Sequence, residues 1–542
     1  MSYFSDLLSA YSKRIGINSP QIANYCGLDR VTVYRFMKGK TLPKDRETVG
    51  RMAEILQLTG DERENLEEAY ECARLSPRVY WERKYIQSFL RSFTGTNPVV
   101  PLVQYESEDV QDPRKDTLVV NGRDCTLKRI QKEILSECTG DRCTIELLMR
   151  PGIDPVMDML LSVGKKNRSL KIRHLIPLTT AFLSSPGQTS VSGSSSFAKR
   201  TGSASSPAAK LGSPRQMLMV PEENGMGISS LLPGNYFHEE GLRWNHELLQ
   251  NFFKIVSICA EGFDYEPFYF YSRQSEVGSF PIYSNLLVTK NAAILFTDDL
   301  GESIFFWDPA QVNAFHRKFG RFMEGKPALS YVFRDTESFM VNMNNVILKR
   351  SRNKEDTEYF YASQPCIIPI LTEEIIKGHL RTDIFPQDAE GRSDALKNIY
   401  NYIEAIQARY KNSDNNAVNY LSESGIRYFM KTGRFAEVPM EIYTPLSLEE
   451  RREMVLKLAE SSNFSARILR KELSPPEGML CIEAMDKSLF LEFLAPDKGM
   501  CFLYVNEPGI LLAFRNFFQG LSKEELYSEE ESREILRRIA QE

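Results

Sequence analysis

The sequence has little histidine, no paired cysteine motif and no long apolar run, and each absence excludes a class of protein. Among 542 residues there are five histidines and nine cysteines. The histidines, at positions 174, 238, 246, 316 and 379, show no ligand spacing, and no Cys-x-x-Cys pair occurs. We therefore expect no metal site and no cofactor. An odd cysteine count without such pairs is typical of reduced thiols in a cytosol.

The chain also lacks the segments that direct a protein into or across a membrane. No uninterrupted apolar stretch approaches the ~20 residues that a spanning helix needs. The first residues, Met1-Ser-Tyr-Phe-Ser-Asp6, have no basic lead into an apolar run. We expect a cytoplasmic protein with no membrane partner.

Basic charge is scarce overall but concentrated in one place. The formal net charge is −5, so any contact with nucleic acid must come from a local cluster. Between positions 13 and 46 there are eight basic residues against two acids, a local charge of +6. We call these eight the basic cluster: Lys13, Arg14, Arg30, Arg35, Lys38, Lys40, Lys44 and Arg46.

Within this cluster, the spacing of small and apolar residues predicts a helix-turn-helix. Ala23 provides a small residue where two short helices cross, Gly27 lies in the sharp turn, and Val33 anchors the second helix. Five helices can be placed between residues 4 and 75. Ser19 is the expected N-cap of the second helix and Asp29 that of the third.

Residues 1–75 resemble the Cro-like (xenobiotic-response-element) helix-turn-helix family of phage repressors and bacterial regulators. The resemblance implies a lambda-repressor-like all-α domain that binds double-stranded DNA, with Gln21 on a phosphate. It also implies that Arg30, Val31, Thr32, Tyr34 and Arg35 form the outer face of the third helix. Many relatives carry smaller polar residues where Val31 and Tyr34 stand, so the operator sequence does not follow from the resemblance.

The chemistry of these side chains suggests how the work is divided. A guanidinium can donate two hydrogen bonds to guanine O6 and N7, so Arg30 and Arg35 are the expected base readers. Val31 can offer only an apolar contact to a thymine methyl. Thr32, Lys38 and Lys40 are expected to hold the DNA backbone.

Beyond residue 75 the pattern changes to a large α/β body with a mixed sheet. We predict a connecting helix at 76–95, a first lobe at 96–330 and a second lobe at 331–542. Residues 184–215 are rich in serine, contain four basic residues and no acid, and should be a disordered insertion. This insertion is either a plain solvated tract or a basic arm or phosphoacceptor segment.

An internal repeat predicts that the two lobes are related. Pro309 is followed by Phe315 and Phe319, and Pro508 by Phe514 and Phe518, at the same spacing and after strand-like segments. Helices that begin with proline are common and could agree by chance, but the shared strand context favours duplication. The fold class predicted is thus multidomain: the helix-turn-helix domain followed by the α/β body.

The repeated unit weakly resembles half of a phospholipase D-like domain, a fold that also serves regulators as a non-catalytic sensor. That family's chemistry needs His-x-Lys-x-x-x-x-Asp in each half. Only His316-Arg-Lys318 begins the pattern, and Met323 occupies the acidic position. We therefore expect no hydrolysis by that route.

Three other patterns have plainer explanations than catalysis. Gly320 to Lys326 has the first half of a phosphate-binding loop, but Pro327 replaces the required Ser or Thr, so a helix C-terminus is expected. Asp298 and Asp299 are typical of a hairpin turn. The aromatic runs at 263–283 and 359–371 are typical of core strands, although an aromatic wall could also stack a flat ligand.

Together these features predict a homodimeric DNA-binding transcriptional regulator whose large body senses a small-molecule or protein effector. Two alternatives stay open. The body could be a phosphodiesterase-like enzyme whose DNA-binding domain only autoregulates, or the chain could be a scaffold or phage-defence component directed to DNA.

Overall fold

The computed structural model describes residues 3–93, 116–138, 143–150, 153–167, 169–179, 248–249, 252–259, 264–272, 283–333, 357–381, 383, 389–411, 417–435, 442–461, 465–485, 488–495 and 499–542. The chain divides into two compact units, one holding residues 1–81 and 181–245 and the other 82–180 and 246–542. We call the described part of the first unit the N-terminal unit and that of the second the body. The insertion predicted at 184–215 lies outside the described residues.

The N-terminal unit is a bundle of five short helices. They span Tyr3–Ile15, Ser19–Cys26, Arg30–Met37, Arg46–Ile55 and Gly60–Leu75. Apolar residues at helical spacing meet in one core that includes Phe4, Ile22, Val33, Met52 and Leu66, all fully buried. A further helix, Pro77–Ser92, continues the chain from this unit into the body.

The first sheet of the body contains seven described strands. They are β1 (Thr117–Asn121), β2 (Cys143–Leu148), β3 (Leu170–Thr179), β4 (Asp264–Ser272), β5 (Asn285–Val288), β6 (Ala293–Phe296) and β7 (Glu302–Phe306). Their order across the sheet is β1-β7-β6-β5-β2-β3-β4. β2, β3 and β4 are parallel neighbours and the other pairs are antiparallel, so the sheet is mixed, as predicted. Helices Arg123–Glu137, Asp154–Lys166 and Pro309–Met323 accompany this sheet in the chain.

The second sheet also contains seven described strands. They are β8 (Ser330–Phe333), β9 (Glu358–Ala362), β10 (Ala417–Ser422), β11 (Ser465–Leu469), β12 (Cys481–Ala484), β13 (Leu489–Ala495) and β14 (Gly499–Val505). Their order is β11-β10-β9-β12-β13-β14-β8. The accompanying helices are Glu373–His379, Ala389–Lys411, Glu423–Thr432, Leu448–Glu460, Pro508–Gln519 and Glu529–Gln541.

The two sheets have the same topology. Adding seven to each strand number of the first sheet reproduces the order of the second when it is read from its other edge. Every corresponding pair also has the same sense: two parallel pairs on one side and four antiparallel pairs on the other. The duplication that the repeated proline and phenylalanine spacing predicts therefore extends over the whole sheet.

The repeat extends to the packing of the helix that follows each sheet. Asp308 caps the helix that starts at Pro309, and Glu507 caps the helix that starts at Pro508. Phe319 packs against Leu175 of β3. In both repeats three antiparallel strands precede the helix.

Hydrogen bonds join the two sheets within the body. The Tyr271 hydroxyl, on β4, donates to Glu507 Oε1 at 2.5 Å. The other carboxylate oxygen of Glu507 accepts from the Ile510 amide at 2.7 Å. Glu507 is fully buried, and burial raises the pKa of its carboxyl. The buried carboxyl of Glu507 thus caps the helix that follows the second sheet and accepts a hydrogen bond from a hydroxyl of the first sheet.

The structure confirms the multidomain fold class and leaves some finer expectations as predictions. The boundaries proposed for the connecting helix and the two lobes stay a prediction. None of the helices in the described part of the chain combines the length and hydropathy that crossing a membrane requires.

Candidate DNA-binding surface

The turn between the second and third helices is held by local hydrogen bonds that the sequence encodes. Gly27 has a left-handed backbone with φ of +67°, which glycine adopts without strain. The Leu28 amide then donates to the Ala23 carbonyl at 2.8 Å, and Ala23 is buried where the helices meet. Asp29 caps the third helix, as predicted, by accepting from the Thr32 amide at 2.8 Å.

The N-cap predicted for the second helix was wrong by one residue. Asn18, not Ser19, is the cap, because its side chain accepts from the Gln21 amide at 3.1 Å. The Gln21 side-chain oxygen in turn accepts from the Asn18 amide at 2.9 Å. This reciprocal pair satisfies two backbone donors that a Ser19 cap would leave open. Ser19 is instead the first residue of the helix.

The third helix, Arg30–Met37, presents two different faces. Val33 and Phe36 are buried in the core of the N-terminal unit. On the opposite face Val31 is 58% exposed and Tyr34 is 51% exposed. The predicted DNA-contacting residues on this helix and just after it are exposed, apart from half-buried Thr32; they are Arg30, Val31, Tyr34, Arg35, Lys38 and Lys40.

Cations on the outer face are not neutralised within the described structure. Among the described residues no ion pair involves Arg30, Arg35, Lys38, Lys40 or Lys44. Lys38 lies 5.7 Å from the centre of the Tyr34 ring, a cation–π distance that orders both side chains on the surface. These charges are therefore available to an anionic partner.

Two members of the basic cluster are already paired. Arg14 forms an ion pair with Glu62, and Arg46 pairs with Glu71 through Nε at 2.8 Å. The hydrogen bond from Arg14 lowers the pKa of Glu62 to about 2. The charge of +6 counted along the sequence therefore overstates the charge that a partner would meet.

Thr32 and Gln21 are placed differently from the free cations. The Thr32 hydroxyl is hydrogen-bonded to the Asp29 carboxylate. The contact with the DNA backbone that is expected of this hydroxyl would therefore compete with its hydrogen bond to Asp29. Hydrogen bonds from Thr32 keep the pKa of Asp29 below its usual range. Gln21 is exposed in the first turn of the second helix, and its carbonyl oxygen is the atom used in the cap. The cap does not use the side-chain N–H groups of Gln21, and their contact with a phosphate stays a prediction.

Lys44, a member of the basic cluster, is a further candidate contact beside the predicted DNA-binding residues. It is exposed immediately before Asp45, the N-cap of the fourth helix. A lysine beside a helix N-terminus adds to the positive potential there. Its position in the cluster, between Lys40 and Arg46, was the available clue.

The body contains an apolar pocket that no local pattern reveals. It lies between helices Glu373–His379 and Ala389–Lys411, with Phe435 and residues 442–446 on a further side, and its empty volume is about 480 Å³, including the part open to solvent. Its walls include Leu371, Ile375, Ile399, Tyr402, Ile403 and Phe435. His379 also lines it, but both ring nitrogens are engaged, with Thr444 and Glu450. The pocket therefore suits an apolar group.

The motifs of the body that were considered for catalysis lie in ordinary structural settings. His316 lies within helix Pro309–Met323, with Nδ1 2.8 Å from Glu146 Oε2 and Nε2 3.1 Å from the Thr289 carbonyl. The segment from Gly320 contains the end of that helix. Asp298 lies in the turn between β6 and β7, as predicted. Over the described residues, no group of three or more His, Cys, Asp or Glu is arranged to hold a metal ion.

His174 and the aromatic residues of β4 belong to the core of the first sheet. His174 Nδ1 lies 2.8 Å from the Tyr265 hydroxyl, and burial lowers the pKa of the imidazole to about 4. Tyr265 and Tyr269 of β4 are both buried. The run at 263–283 therefore supplies a core strand over 264–272, as favoured from the sequence; residues 273–282 lie outside the described residues.

Comparison with known proteins identifies no family. No family model matches the chain, and no curated protein sequence matches it significantly. Among solved structures, an archaeal chromatin protein, TrmBL2, whose structure shows a novel mode of DNA binding, is 11% identical, with a TM-score of 0.19; the match covers 60% of this chain and 94% of that one. Phosphatidylserine synthase from Haemophilus influenzae Rd KW20 is 8% identical, with a TM-score of 0.21, over 79% of this chain and 93% of that one. At such scores neither likeness bears on what this chain does.

Proposed function

We propose that the chain is a sequence-specific transcriptional regulator that binds double-stranded DNA through the outer face of the Arg30–Met37 helix. The observation that carries the proposal is that one face of this helix is buried and the opposite face is exposed and basic. Its inner face is fixed in the core by Val33 and Phe36, while exposed Arg30 and Arg35 have no ion-pair partner among the described residues. A rigid helix with such a face can enter a major groove.

In this proposal Arg30 and Arg35 read guanine through paired N–H donors, and Val31 contacts a thymine methyl. Lys38, Lys40 and Lys44 neutralise phosphates, which sets affinity and its dependence on salt. The Gln21 amide donates to a phosphate at the start of the second helix. The roles given to Gln21, Arg30, Val31 and Arg35 are those expected from the resemblance of residues 1–75 to the Cro-like family.

The body is proposed to be a sensor and an assembly surface rather than an enzyme. Its apolar pocket supports binding of an uncharged, apolar effector. The pocket is lined mainly by hydrophobic side chains, and both ring nitrogens of His379 already have hydrogen-bond partners in the protein. A single recognition helix reads few base pairs, so a homodimer on a two-fold site is expected. A phosphodiesterase-like body is the alternative, and release of product from a phosphodiester substrate by the purified chain would favour it.

The decisive experiment is to identify the DNA that the protein selects. Fragments of the genome that encodes it are incubated with purified full-length protein, and the retained DNA is sequenced. We expect a few recurrent sites with inverted symmetry. The matched control is the Arg30→Ala, Arg35→Ala double variant, which should retain DNA without enrichment. Equal recovery of all fragments by the unaltered protein would reject sequence-specific regulation; enriched sites with no effect on transcription would favour a DNA-directed scaffold.

A further inference from the structure

We propose that Cys138 and Cys143 form a redox-active thiol pair that hydroperoxides convert reversibly to a disulfide. The proposal does not depend on DNA binding. It assigns a modification site to the first sheet, where helix Arg123–Glu137 ends and β2 begins.

The two sulfur atoms are already in contact. Cys138 Sγ and Cys143 Sγ lie 2.9 Å apart and are hydrogen-bonded. A disulfide bond is about 2.05 Å long, so bond formation needs a movement of less than an ångström. Both cysteines are free thiols in the structure.

The local structure holds both cysteines in place. The Cys138 amide donates to the Ile134 carbonyl at 3.1 Å, which continues the helix to its last turn. The Cys138 carbonyl accepts from the Asn167 side chain at 2.7 Å. Cys143 is the first residue of β2 and pairs with Leu170 of β3. The pair therefore joins the end of helix Arg123–Glu137 to the start of β2, and each of these elements is held by backbone hydrogen bonds of its own.

The two thiols differ in the way that a peroxide-reactive pair requires. Cys138 is half-buried, whereas Cys143 is only 3% exposed. When Cys138 loses its proton, the Cys143 thiol donates a hydrogen bond to the thiolate, and this lowers the pKa of Cys138 despite partial burial. The same contact raises the pKa of Cys143. Cys138 is thus the attacking sulfur and Cys143 the resolving one.

The reaction balances with a hydroperoxide as the oxidant. The Cys138 thiolate attacks the terminal oxygen of the hydroperoxide, the O–O bond breaks, and the alkoxide leaves and takes up a proton as the alcohol. Cys138 becomes a sulfenic acid. The Cys143 sulfur then attacks Cys138 Sγ, the S–O bond breaks, and the hydroxide leaves as water with the Cys143 proton. Two thiols are oxidised and one peroxide is reduced.

The sequence provides a direct test, because Arg142 separates the two cysteines. The full-length protein is treated with a few equivalents of hydrogen peroxide. It is then unfolded in denaturant that contains an alkylating agent, which blocks the free thiols, and digested with trypsin. Cleavage after Arg142 leaves the cysteines on different peptides unless a disulfide joins them. We expect a loss of two alkylatable thiols per chain and one linked pair of peptides, which separates after reduction.

Variants on the same helix supply the controls. Cys125→Ser removes an exposed thiol from helix Arg123–Glu137 and should leave the linked pair unchanged. Cys138→Ser should abolish it, and Cys143→Ala should leave Cys138 as a sulfenic acid that a cyclic diketone traps. Because Cys143 is buried, the peptide map of the unaltered protein decides the question if that variant folds poorly. Unlinked peptides after peroxide treatment, or linkage of Cys138 chiefly to another cysteine, would overturn the proposal.

Discussion

Phe319 and Phe518, 199 residues apart in the chain, occupy the same position on two sheets of identical topology. Phe319 packs on Leu175 of β3, and Phe518 packs on Tyr420 of β10 with ring centres 5.6 Å apart. β3 and β10 correspond in the two strand orders. The equivalence of the two helices is therefore one of packing as well as of sequence spacing.

If the two positions are equivalent, Phe319→Ala and Phe518→Ala should destabilise the body by similar amounts. Both side chains are fully buried, so each truncation should cost about 3–5 kcal/mol. Denaturant unfolding of the full chain, followed by the transition of the body, measures this loss. Phe322→Ala is the control, since Phe322 is on the same helix as Phe319 but is 45% exposed; it should change stability by less than about 0.5 kcal/mol. A large effect at only one of the two buried positions would contradict the equivalence.

Replacing Arg35 should separate specific from non-specific DNA binding. Arg35→Ala is expected to weaken binding to the selected site by about 1–3 kcal/mol while changing binding to random DNA little, because it removes a base contact. Competition binding at fixed salt measures both affinities. Arg63→Ala, in the fifth helix and paired with Glu67, should leave both unchanged. Equal losses on the two kinds of DNA would assign Arg35 to the phosphates instead.

The protein should act as a two-fold dimer on DNA. A pseudopalindromic site with half-sites about one helical turn apart is expected for a pair of recognition helices. Light scattering of the free protein and of its complex with the selected site gives the stoichiometry. A single chain in both measurements would exclude the dimer.

The ion pair between Arg14 and Glu62 predicts a defined dependence on pH. The folded pKa of Glu62, about 2, lies below its usual value of 4.5, so its contribution is present above about pH 4.5 and disappears as pH falls towards 2. Glu62→Gln should therefore destabilise the N-terminal unit at neutral pH, and the difference from the unaltered protein should shrink over that interval. Thermal unfolding at several pH values tests it. Glu64→Gln, in the same helix and exposed, provides the control, and a difference that is independent of pH would show that the charge of Glu62 does not matter.

An apolar effector should stabilise the body and change operator affinity together. At a hundred times its dissociation constant, a ligand adds about 2.7 kcal/mol to the stability of the state that binds it. An uncharged medium-chain alcohol such as octanol can probe the pocket, with Ile403→Trp to fill it and Leu456→Trp as an exposed control. Reciprocity requires operator DNA to change effector affinity by the same factor. Binding without any change in operator affinity would remove the sensor role for that ligand, and formation of a product would show an enzyme.

Features that depend on neighbouring residues could be predicted from the sequence, and features that depend on distant ones could not. The turn at Gly27 and the cap at Asp29 follow from a few adjacent residues. The choice between Asn18 and Ser19 needed one more residue, Gln21, whose side chain completes the cap. Each of these contacts joins residues no more than five positions apart in the chain.

Charge pairing and the pocket lay beyond such reasoning. Glu62 is 48 positions from Arg14, and Glu71 is 25 positions from Arg46, so no local count could subtract them from the basic cluster. The described residues that line the pocket are scattered along the chain between Leu371 and Leu446. The spacing of Cys138 and Cys143 predicts no contact by itself, because the contact forms only where the end of a helix meets the start of a strand. Only the tertiary fold supplies these relationships.

The reciprocal bonds between Asn18 and Gln21 have a consequence for the thermodynamics of recognition. A free glutamine side chain loses rotational freedom worth about 1.5–2 kcal/mol when a ligand immobilises it. Gln21 has lost part of that freedom already, because the Asn18 amide fixes its carbonyl oxygen. A phosphate contact made by its amide would thus carry a smaller entropic penalty than the same contact made by an unrestrained side chain. In the proposed complex with DNA, the helix cap would thus make Gln21 a preorganised donor.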